Sequence, residues 1–377
     1  MSKIITVFGA TGNQGGSVIK HILADAILSK EFQIRGITRD VKSPAATTLT
    51  KQGVQMVAAD LNSKSSVADA LKGAHSVFLV TNYWETATPG VERSQGITVA
   101  DAAKAAGISH LIYSSLLNVS KATNGRLKEV KHFDEKADIE EYIRASGVPS
   151  SFFLPGYFMA NYTFMIRKEE DGSYVLAYPV SGKSKFPLID AGRDTGKWVK
   201  AIIKNREKLL GKRVLAATDY YTPEQIVAEF AEVTGNKATY VQITPEQYTS
   251  AMPPAAATEY LQNHQFMESP GYFAGASLDE GHAILDKEDK PITWKEYVLS
   301  LAISSYSSKG LHAAVDQICP RIMPTLSASN FPVRTKVANS ETPTDLSSKL
   351  HLFQKTGNRE VIYEDGSYAL FHGLSIV

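Results

Sequence analysis

The sequence has little cysteine and no long hydrophobic run, and each absence excludes a class of protein. Its 377 residues contain one cysteine, Cys319, which excludes an internal disulfide framework and favours a reducing compartment. No apolar run reaches the length of about 20 residues that a membrane-spanning helix needs. The first apolar run stops at Phe8 and leads into a glycine turn, unlike a secretory signal. We therefore expect a soluble, intracellular protein in the cytoplasm, with the nucleus open as a second location, and no membrane contact.

An excess of charge of either sign is also absent. The chain has 40 Lys and Arg against 39 Asp and Glu, a formal net charge of +1, so no overall field attracts nucleic acid or anionic lipid. The nine histidines show no metal-ligand spacing such as H-E-x-x-H, and no metal site is expected. Direct nucleic-acid binding is not expected, which leaves a small-molecule substrate or a regulatory protein as the partner.

The N-terminus combines an apolar strand pattern with a glycine-rich turn and the start of a helix. The apolar residues 4–8 run directly into Gly9, Gly12 and Gly15. Each glycine has a reason to lack a side chain. The strand turns sharply at Gly9, the backbone can approach a pyrophosphate at Gly12, and the helix can pack closely at Gly15. A helix from Asn13 would point its positive end at the phosphates. This order predicts a dinucleotide site.

The end of the second predicted strand bears on which dinucleotide binds. NAD enzymes offer Asp or Glu to the ribose hydroxyls at this position. Here Arg39 is the first polar residue after Thr38, and a guanidinium suits a 2′-phosphate. The sequence therefore favours NADP(H), although Arg39 and Lys42 as solvated loop charges, or Asp40 in the acidic role, stay open as alternatives.

Strand and helix patterns alternate over the first half of the chain. Alternation of this kind is typical of βαβ units in a doubly wound parallel sheet of the Rossmann type. The predicted strands cover about residues 4–8, 33–38, 55–59, 76–81 and 110–114, and the predicted helices cover about 13–28, from 44, 65–71, 91–106 and 126–146. Such sheets bind ligands at the carboxyl ends of their strands. Residues 1–155 are therefore assigned to an NAD(P)-binding domain.

From about Pro155 the alternation loosens into aromatic and glycine-rich segments. A strand pattern covers Arg213–Ala216, and Thr222-Pro223-Glu224-Gln225 has the form of a helix start, with an N-cap, a proline and an early acid. We expect residues 156–301 to form a smaller mixed α/β domain that covers the nicotinamide end and shapes a substrate pocket. An exchange of segments with the first domain stays open.

Residues 302–377 differ in composition from the rest of the chain. Serine clusters and scattered prolines replace sustained helical periodicity, which predicts a poorly ordered tail. One alternating pattern, residues 360–363 and 367–371 around Glu364-Asp365-Gly366, is typical of a β-hairpin. No function is assigned to this extension.

Several motifs together resemble those of the NmrA-like family, a group of atypical short-chain dehydrogenase/reductases that includes fungal nitrogen-repression regulators and an animal NADPH sensor. The resemblance covers about residues 3–300. It is carried by Gly-Ala-Thr-Gly-Asn-Gln-Gly-Gly at 9–16, Thr38-Arg39, Thr81-Asn82-Tyr83-Trp84-Glu85, Tyr113-Ser114-Ser115, His132-Phe133-Asp134-Glu135-Lys136 and Leu154-Pro155-Gly156-Tyr157-Phe158.

The resemblance implies NADP(H) as the cofactor and assigns residues to each part of it. The residues implied for the pyrophosphate turn are Gly9, Ala10, Thr11, Gly12, Asn13, Gln14 and Gly15. Arg39 would bind the 2′-phosphate, and Asp60 with Leu61 the adenine. The residues implied for the nicotinamide half are Thr81, Asn82, Tyr83, Lys136, Tyr157, Phe158, Met159 and Ala160.

The catalytic group usual in the wider superfamily is missing. Its members use a tyrosine with a lysine four residues later, because the lysine lowers the pKa of the phenol, and no tyrosine here has lysine at that offset. In the matching helix the pair is His132 and Lys136, which share one face. Imidazole can donate a proton near neutral pH, and Ser115 could orient a carbonyl. His132 as an ordinary helix residue and Lys136 as a cofactor ligand alone are the open alternatives.

Two functions of different classes follow. The preferred one is an NADPH-dependent oxidoreductase that transfers a hydride to a small carbonyl compound or an activated alkene, with Lys136, His132 and Ser115 as candidate catalytic residues. The alternative is a non-catalytic sensor of the NADPH/NADP ratio that regulates a protein partner such as a transcription factor. The sequence identifies neither the substrate nor the oligomeric state, because pocket shape selects the substrate.

Overall fold

The computed structural model describes residues 2–309, 360–362 and 368–370. Its strands are β1 (Lys3–Val7), β2 (Phe32–Thr38), β3 (Gln55–Ala58), β4 (Ser76–Leu79), β5 (His110–Ser114), β6 (Ser150–Pro155), β7 (Tyr157–Phe158), β8 (Ile166–Lys168), β9 (Tyr174–Tyr178), β10 (Phe186–Ile189), β11 (Arg213–Ala216), β12 (Asp219–Tyr221), β13 (Ala238–Gln242), β14 (Glu360–Ile362) and β15 (Tyr368–Leu370).

Helices lie between most of these strands. They are α1 (Asn13–Ala24), α2 (Leu28–Glu31), α3 (Pro44–Lys51), α4 (Lys64–Leu71), α5 (Val91–Ala105), α6 (Val119–Ala122), α7 (Lys131–Ser146), α8 (Tyr162–Met165), α9 (Ala191–Lys204), α10 (Arg206–Leu209), α11 (Pro223–Thr234), α12 (Pro245–Ser250), α13 (Pro254–Glu268), α14 (Asp279–Ala283) and α15 (Trp294–Lys309). Short 3₁₀ turns cover Tyr83–Glu85 and Met159–Asn161. In the part of the chain that the structure describes, no helix is long and apolar enough to cross a membrane.

Seven parallel strands form the main sheet, in the order β11-β6-β5-β4-β1-β2-β3. This order confirms the predicted doubly wound α/β fold. The central strands β4, β5 and β6 are buried along their whole length, as expected for a parallel sheet with helices on both faces. The direction of winding reverses between β1 and β4. A crevice at the carboxyl ends of these two strands is where such sheets bind ligands.

Two predicted helix boundaries are wrong, and side-chain caps explain both. The helix expected over 13–28 ends at Ala24, because the Asp25 carboxylate accepts from the backbone N–H groups of Ile27 and Leu28 and starts a separate turn. The helix expected from 126 begins at Lys131. Before it, the Thr123 hydroxyl accepts from the backbone N–H of Leu127 at 3.1 Å and donates to the Val119 carbonyl at 2.8 Å, which holds residues 123–127 in a loop.

The chain returns to the main sheet after residue 190. Helix α9 packs against α1, and its Gly196 N–H donates to the Ser17 hydroxyl at 3.0 Å. Strand β11 then pairs in parallel with β6 at the edge of the sheet. Residues 191–204 and 213–216 therefore lie in the layers of the first predicted domain. The division of the chain into two domains between residues 155 and 156 stays a proposal, in which residues 191–204 and 213–216 belong to the Rossmann domain.

The remaining segments form two small sheets beside the carboxyl end of the main sheet. Their strand orders are β12-β10-β7 and β13-β9-β8, each with one parallel and one antiparallel pairing. The predicted start of α11 is confirmed, because Thr222 and Gln225 form a reciprocal capping box. Strand β7 follows β6 after one residue, so the small sheets are attached directly beside the crevice.

Strands β14 and β15 pair antiparallel, with Glu360 opposite Leu370. This pairing confirms the predicted hairpin. The predicted tail begins too early at residue 302, because helix α15 continues to Lys309. Apart from the two strands, the tail beyond residue 309 lies outside the described residues.

The close contact between α1 and α9 depends on Gly196. A Cβ atom at Gly196 would lie 2.2 Å from the Ser17 carbonyl oxygen, so Gly196→Ala should lower the free energy of unfolding by about 1–3 kcal/mol through overpacking. The matched control is Gly192→Ala in the same helix, whose Cβ would lie 3.6 Å from Asp190 Oδ1 and should change stability by less than about 0.5 kcal/mol. Urea unfolding measures both, and equal losses would contradict this packing.

Candidate functional site

The turn after β1 places the start of α1 at the crevice. Gly9 has a φ of +65°, a conformation that side chains disfavour. A Cβ at Gly15 would lie 2.3 Å from the Gly9 carbonyl oxygen, so α1 reaches the turn only without a side chain there. Gly12 is the N-cap, and no side chain of the described residues caps α1. The free N–H groups and the cradle beside them fit a pyrophosphate.

A cavity of about 180 Å³ joins this turn to three other segments. Its walls come from the turn, the residues after β4, helix α7 and strand β7. The lining residues are Gly9, Gly12, Asn13, Gln14, Gly15, Val80, Thr81, Asn82, Tyr83, Trp84, His132, Lys136 and Phe158. The structure thus brings together five of the seven residues predicted for the pyrophosphate turn and five of the eight predicted for the nicotinamide half. The volume in this conformation is below the usual 300–1,000 Å³ of sites for larger ligands.

Lys136 reaches the cavity as part of a buried ion pair. Its ammonium donates to the Thr81 carbonyl at 3.1 Å and to the Thr81 hydroxyl at 3.3 Å, and it pairs with the carboxylate of Glu92. Lys136 is 6% exposed and Glu92 is 2% exposed. Thr81 follows β4 and Glu92 lies in the first turn of α5, so Lys136 connects α7 to both of these segments. Such a pair positions a charge well but is costly to break by removing one partner.

His132 lies one turn before Lys136 and is bound to a carboxylate from another element. The Glu259 carboxylate on α13 accepts from the His132 backbone N–H at 2.9 Å and lies 2.6 Å from Nδ1. We assign the proton at this bond to Nδ1, because a carboxylate is an acceptor. The ring is fully buried, and Nε2 has no hydrogen-bond partner within the described residues. His132 therefore lines the cavity with Nδ1 bound to Glu259 and with Nε2 unpaired within the described residues.

Tyr83 and Trp84 complete the wall beside His132. The His132 ring centroid lies 5.1 Å from that of Trp84 and 6.1 Å from that of Tyr83. Burial, followed by the charge of the nearby Glu259 carboxylate, raises the pKa of the Tyr83 phenol well above its usual range. The phenol therefore stays protonated at neutral pH. Tyr83 therefore cannot replace the readily ionised catalytic tyrosine that other members of the superfamily use and that this sequence lacks.

Ser115 is not among the residues that line the cavity. Its hydroxyl donates to Glu140 at 2.6 Å, and Glu140 also pairs with Arg144 and Arg213. The neighbouring Ser114 points the other way and donates to Gln14 Oε1 at 2.7 Å. The structure therefore does not bring Ser115 together with Lys136 and His132, because successive residues of a strand face opposite sides.

The residues implied for the adenine end lie at the carboxyl ends of β2 and β3. The exposed Arg39 pairs with Glu85, beyond the end of β4. Asp60 is exposed and its carboxylate accepts from Asn62, and Leu61 beside it is partly buried. Asp40 is also exposed and accepts from the Lys42 backbone N–H at 2.8 Å. None of these residues lines the 180 Å³ cavity.

Of residues 157–160, only Phe158 lines the cavity. Tyr157 points into an aromatic cluster with Tyr162 and Phe186, where burial raises the pKa of its phenol to about 12. Met159 is fully buried. Ala160 is partly buried, and Ala10 and Thr11 belong to the glycine turn without lining the cavity.

Glu92 and Glu259 are site residues that sequence reasoning missed. Glu92 lies 44 residues before Lys136, and Glu259 lies 127 residues after His132. The only local sequence signal for Glu92 is its place in the first turn of a helix. Acidic residues are common there because they interact favourably with the helix dipole, so the position does not indicate a site. Glu259 carried no local signal.

Known proteins resemble this chain in sequence and in fold. The model of the NmrA-like family matches residues 1–298. The NmrA-like family domain-containing oxidoreductase malD of Malbranchea aurantiaca is 37% identical over 257 residues, 64% of this chain and 76% of that protein. The corresponding oxidoreductase ptmS of Penicillium ochrochloron is 31% identical over 261 residues, with the same shares. Among solved structures, NmrA, a negative transcriptional regulator in complex with NADP, has a TM-score of 0.69 at 25% identity, over 82% of this chain and 98% of that one.

The buried pair of Lys136 and Glu92 makes a stability prediction. Lys136→Met leaves the Glu92 carboxylate buried without its partner and should lower the free energy of unfolding by about 3–5 kcal/mol. The double variant Lys136→Met/Glu92→Gln removes both charges and should recover most of that loss. Urea unfolding of the three proteins tests this coupling. A double variant as unstable as the single one would show that the charge pair is not the cause.

Proposed function

This chain belongs to the NmrA-like family, and we propose that it is an NADP(H)-dependent oxidoreductase acting on a small carbonyl compound or an activated alkene. The observation that carries the proposal is the meeting of the glycine turn with Lys136 and His132 on one cavity. Relatives named as oxidoreductases and the NADP complex of NmrA support a nicotinamide dinucleotide as the cofactor.

The residues present fit such a cofactor. The glycine turn and the start of α1 would hold the pyrophosphate, since no side chain of the described residues caps α1 and Gly15 lies directly against the turn. Lys136, Asn82 and Phe158 would hold the nicotinamide half. NADPH supplies a hydride when it is bound. The task of the protein is then to orient the acceptor, exclude water and hold a proton at His132.

Arg39 supports the preference for NADP(H) over NAD(H). Its ion pair with Glu85 lies at the surface, where such pairs contribute about 0–1 kcal/mol. A 2′-phosphate offers a guanidinium several acceptor oxygens, so the phosphate can replace Glu85. Asp40 is occupied by the Lys42 N–H, which makes it the weaker candidate for ribose recognition.

One observation favours the second candidate, a non-catalytic sensor of NADPH/NADP that regulates a protein partner such as a transcription factor. The Lys136 ammonium is already bound by Glu92 and Thr81, as expected for a lysine that serves a structural or ligand role. The NmrA structures are those of a negative transcriptional regulator. The oriented imidazole of His132 is what favours the enzyme, since binding alone does not need it.

Turnover separates the two functions. The purified protein should oxidise NADPH only when a quinone or enone from a panel is added, as measured by the loss of NADPH absorbance. Gly15→Ala should abolish this activity, because its Cβ would lie 2.3 Å from the Gly9 carbonyl oxygen. The control Gly16→Ala, whose Cβ would lie 3.5 Å from the Ala10 oxygen, should retain it. Tight NADPH binding without turnover across the panel would favour the sensor, and failure to bind any dinucleotide would contradict both functions.

The preference for NADP is tested at Arg39. Arg39→Ser should weaken NADP⁺ binding by about 10- to 100-fold, the value of a hydrogen-bonded charge contact, and should leave NAD⁺ binding nearly unchanged. Glu85→Gln should strengthen NADP⁺ binding by a few-fold at most, because it frees Arg39 from a surface pair. Lys42→Ser, in the same loop, is the matched control. Calorimetric titration measures all four proteins, and equal losses for both dinucleotides in Arg39→Ser would show that Arg39 does not read the phosphate.

A further inference from the structure

Two residues that line the cavity each carry a buried nitrogen atom without a partner in the described part of the chain. Nε1 of Trp84 and Nε2 of His132 are both shielded from solvent and have no hydrogen-bond partner among residues 2–303. Both residues line the cavity, and their ring centroids lie 5.1 Å apart. A buried polar atom without a partner costs free energy, and most such atoms in folded proteins are satisfied. The indole N–H needs an acceptor, and Nε2 needs one when the imidazole is doubly protonated, so a ligand with an acceptor atom would complete the site.

Glu259 determines which nitrogen of His132 faces that ligand. Its carboxylate oxygen lies 2.6 Å from Nδ1 and also accepts the His132 backbone N–H, so the imidazole is fixed in rotation as well as in position. A carboxylate at Nδ1 orients the ring, and in the imidazolium form Nε2 carries a second proton that it can donate to a ligand oxygen. Glu259 comes from α13, outside the main sheet, so α13 must pack against α7 to complete the site.

The walls of the cavity indicate the shape of the ligand. Tyr83, Trp84 and Phe158 are aromatic, and the Trp84 ring is itself stacked on Tyr260 at 5.0 Å with an interplanar angle of 12°. This support leaves the indole little freedom to turn. Rigid aromatic walls favour a flat, conjugated molecule.

We propose that the Trp84 indole N–H and His132 Nε2 bind the oxygen of a planar conjugated carbonyl substrate, such as an enone, an aryl ketone or a quinone, with Glu259 as the positioning residue of His132. This inference rests on the proposed function and narrows its substrate class. It also explains how the chain manages without the superfamily tyrosine, because the imidazole takes over the role of proton donor.

The reduction balances with these groups. A ketone needs one hydride at carbon and one proton at oxygen, and both electrons arrive with the hydride from NADPH. As the carbon–oxygen π bond breaks, charge develops on the oxygen, where the indole N–H stabilises it and the His132 imidazolium gives up its Nε2 proton. The products are an alcohol, NADP⁺ and a neutral imidazole that recovers a proton from water. Preorganised donors at a developing oxyanion are an effective form of catalysis.

A binding experiment with p-nitrophenolate tests the donors without requiring turnover. This planar oxyanion changes its visible absorption when donors bind its oxygen, and it is titrated into the protein with and without saturating NADP⁺. The wild-type protein should bind it with a spectral shift. Trp84→Phe and Glu259→Gln should each weaken binding by about tenfold or more and reduce the shift, as expected for loss of a charge-assisted hydrogen bond or of its orientation. Glu280→Gln, an exposed glutamate on α14, is the matched control and should behave as wild type.

The outcomes separate this inference from the proposed function. Absence of probe binding to the wild-type protein, or an unchanged affinity and shift in both variants, would overturn the oxygen site. Acceptor-dependent NADPH oxidation in that case would leave the oxidoreductase proposal standing. Probe binding that depends on Trp84 and Glu259 without any NADPH oxidation would support the oxygen site and contradict the oxidoreductase. Thermal unfolding of each variant shows whether it is folded. If Glu259→Gln does not fold, Trp84→Phe still tests the oxygen site.

Discussion

The close approach of helix α1 to its two neighbours is the constraint on which the rest of the structure depends. At one end Gly15 lets the helix touch the turn after β1, and on its side Gly196 lets α9 pack against Ser17. A side chain at either position would meet backbone atoms, which cannot move away as the end of a flexible side chain can. The N–H groups at the start of α1 are therefore fixed at the crevice, where the winding of the sheet reverses. The helix that closes the fold is the same helix that would hold the pyrophosphate.

Helix α7 carries Lys136 and His132 and is fixed by two carboxylates from different elements. Glu92 on α5 holds Lys136, and Glu259 on α13 holds His132. Both bonds are buried, so water does not compete with them and both side chains have little choice of conformation. The lysine has more partners than the imidazole, whose Nε2 has no hydrogen-bond partner within the described residues. For this reason the oxidoreductase proposal depends more on His132 than the sequence suggested, and less on Ser115, whose hydroxyl is bound to Glu140.

Patterns local in sequence predicted the fold and the glycine turn. Contacts between residues that are distant in sequence could not be predicted. The glycine spacing at 9–15 indicates a tight turn between a strand and a helix, and the alternation of strands and helices indicates a parallel sheet. The fold has both features. The ends of α1 and α7 were wrong by four or five residues, because the caps at Asp25 and Thr123 outweigh helical periodicity. Glu259 could not be predicted, since only the packing of α13 brings it to His132.

A crystal structure of the protein with NADP⁺ would test the central claim most directly. The account predicts the pyrophosphate beside Gly12 at the start of α1, and the nicotinamide in the cavity with His132, Lys136 and Phe158 around it. His132 Nδ1 should still lie against Glu259, with Nε2 directed at the space beside the nicotinamide. A nicotinamide bound outside this cavity, or an imidazole turned so that Nε2 meets Glu259, would contradict it.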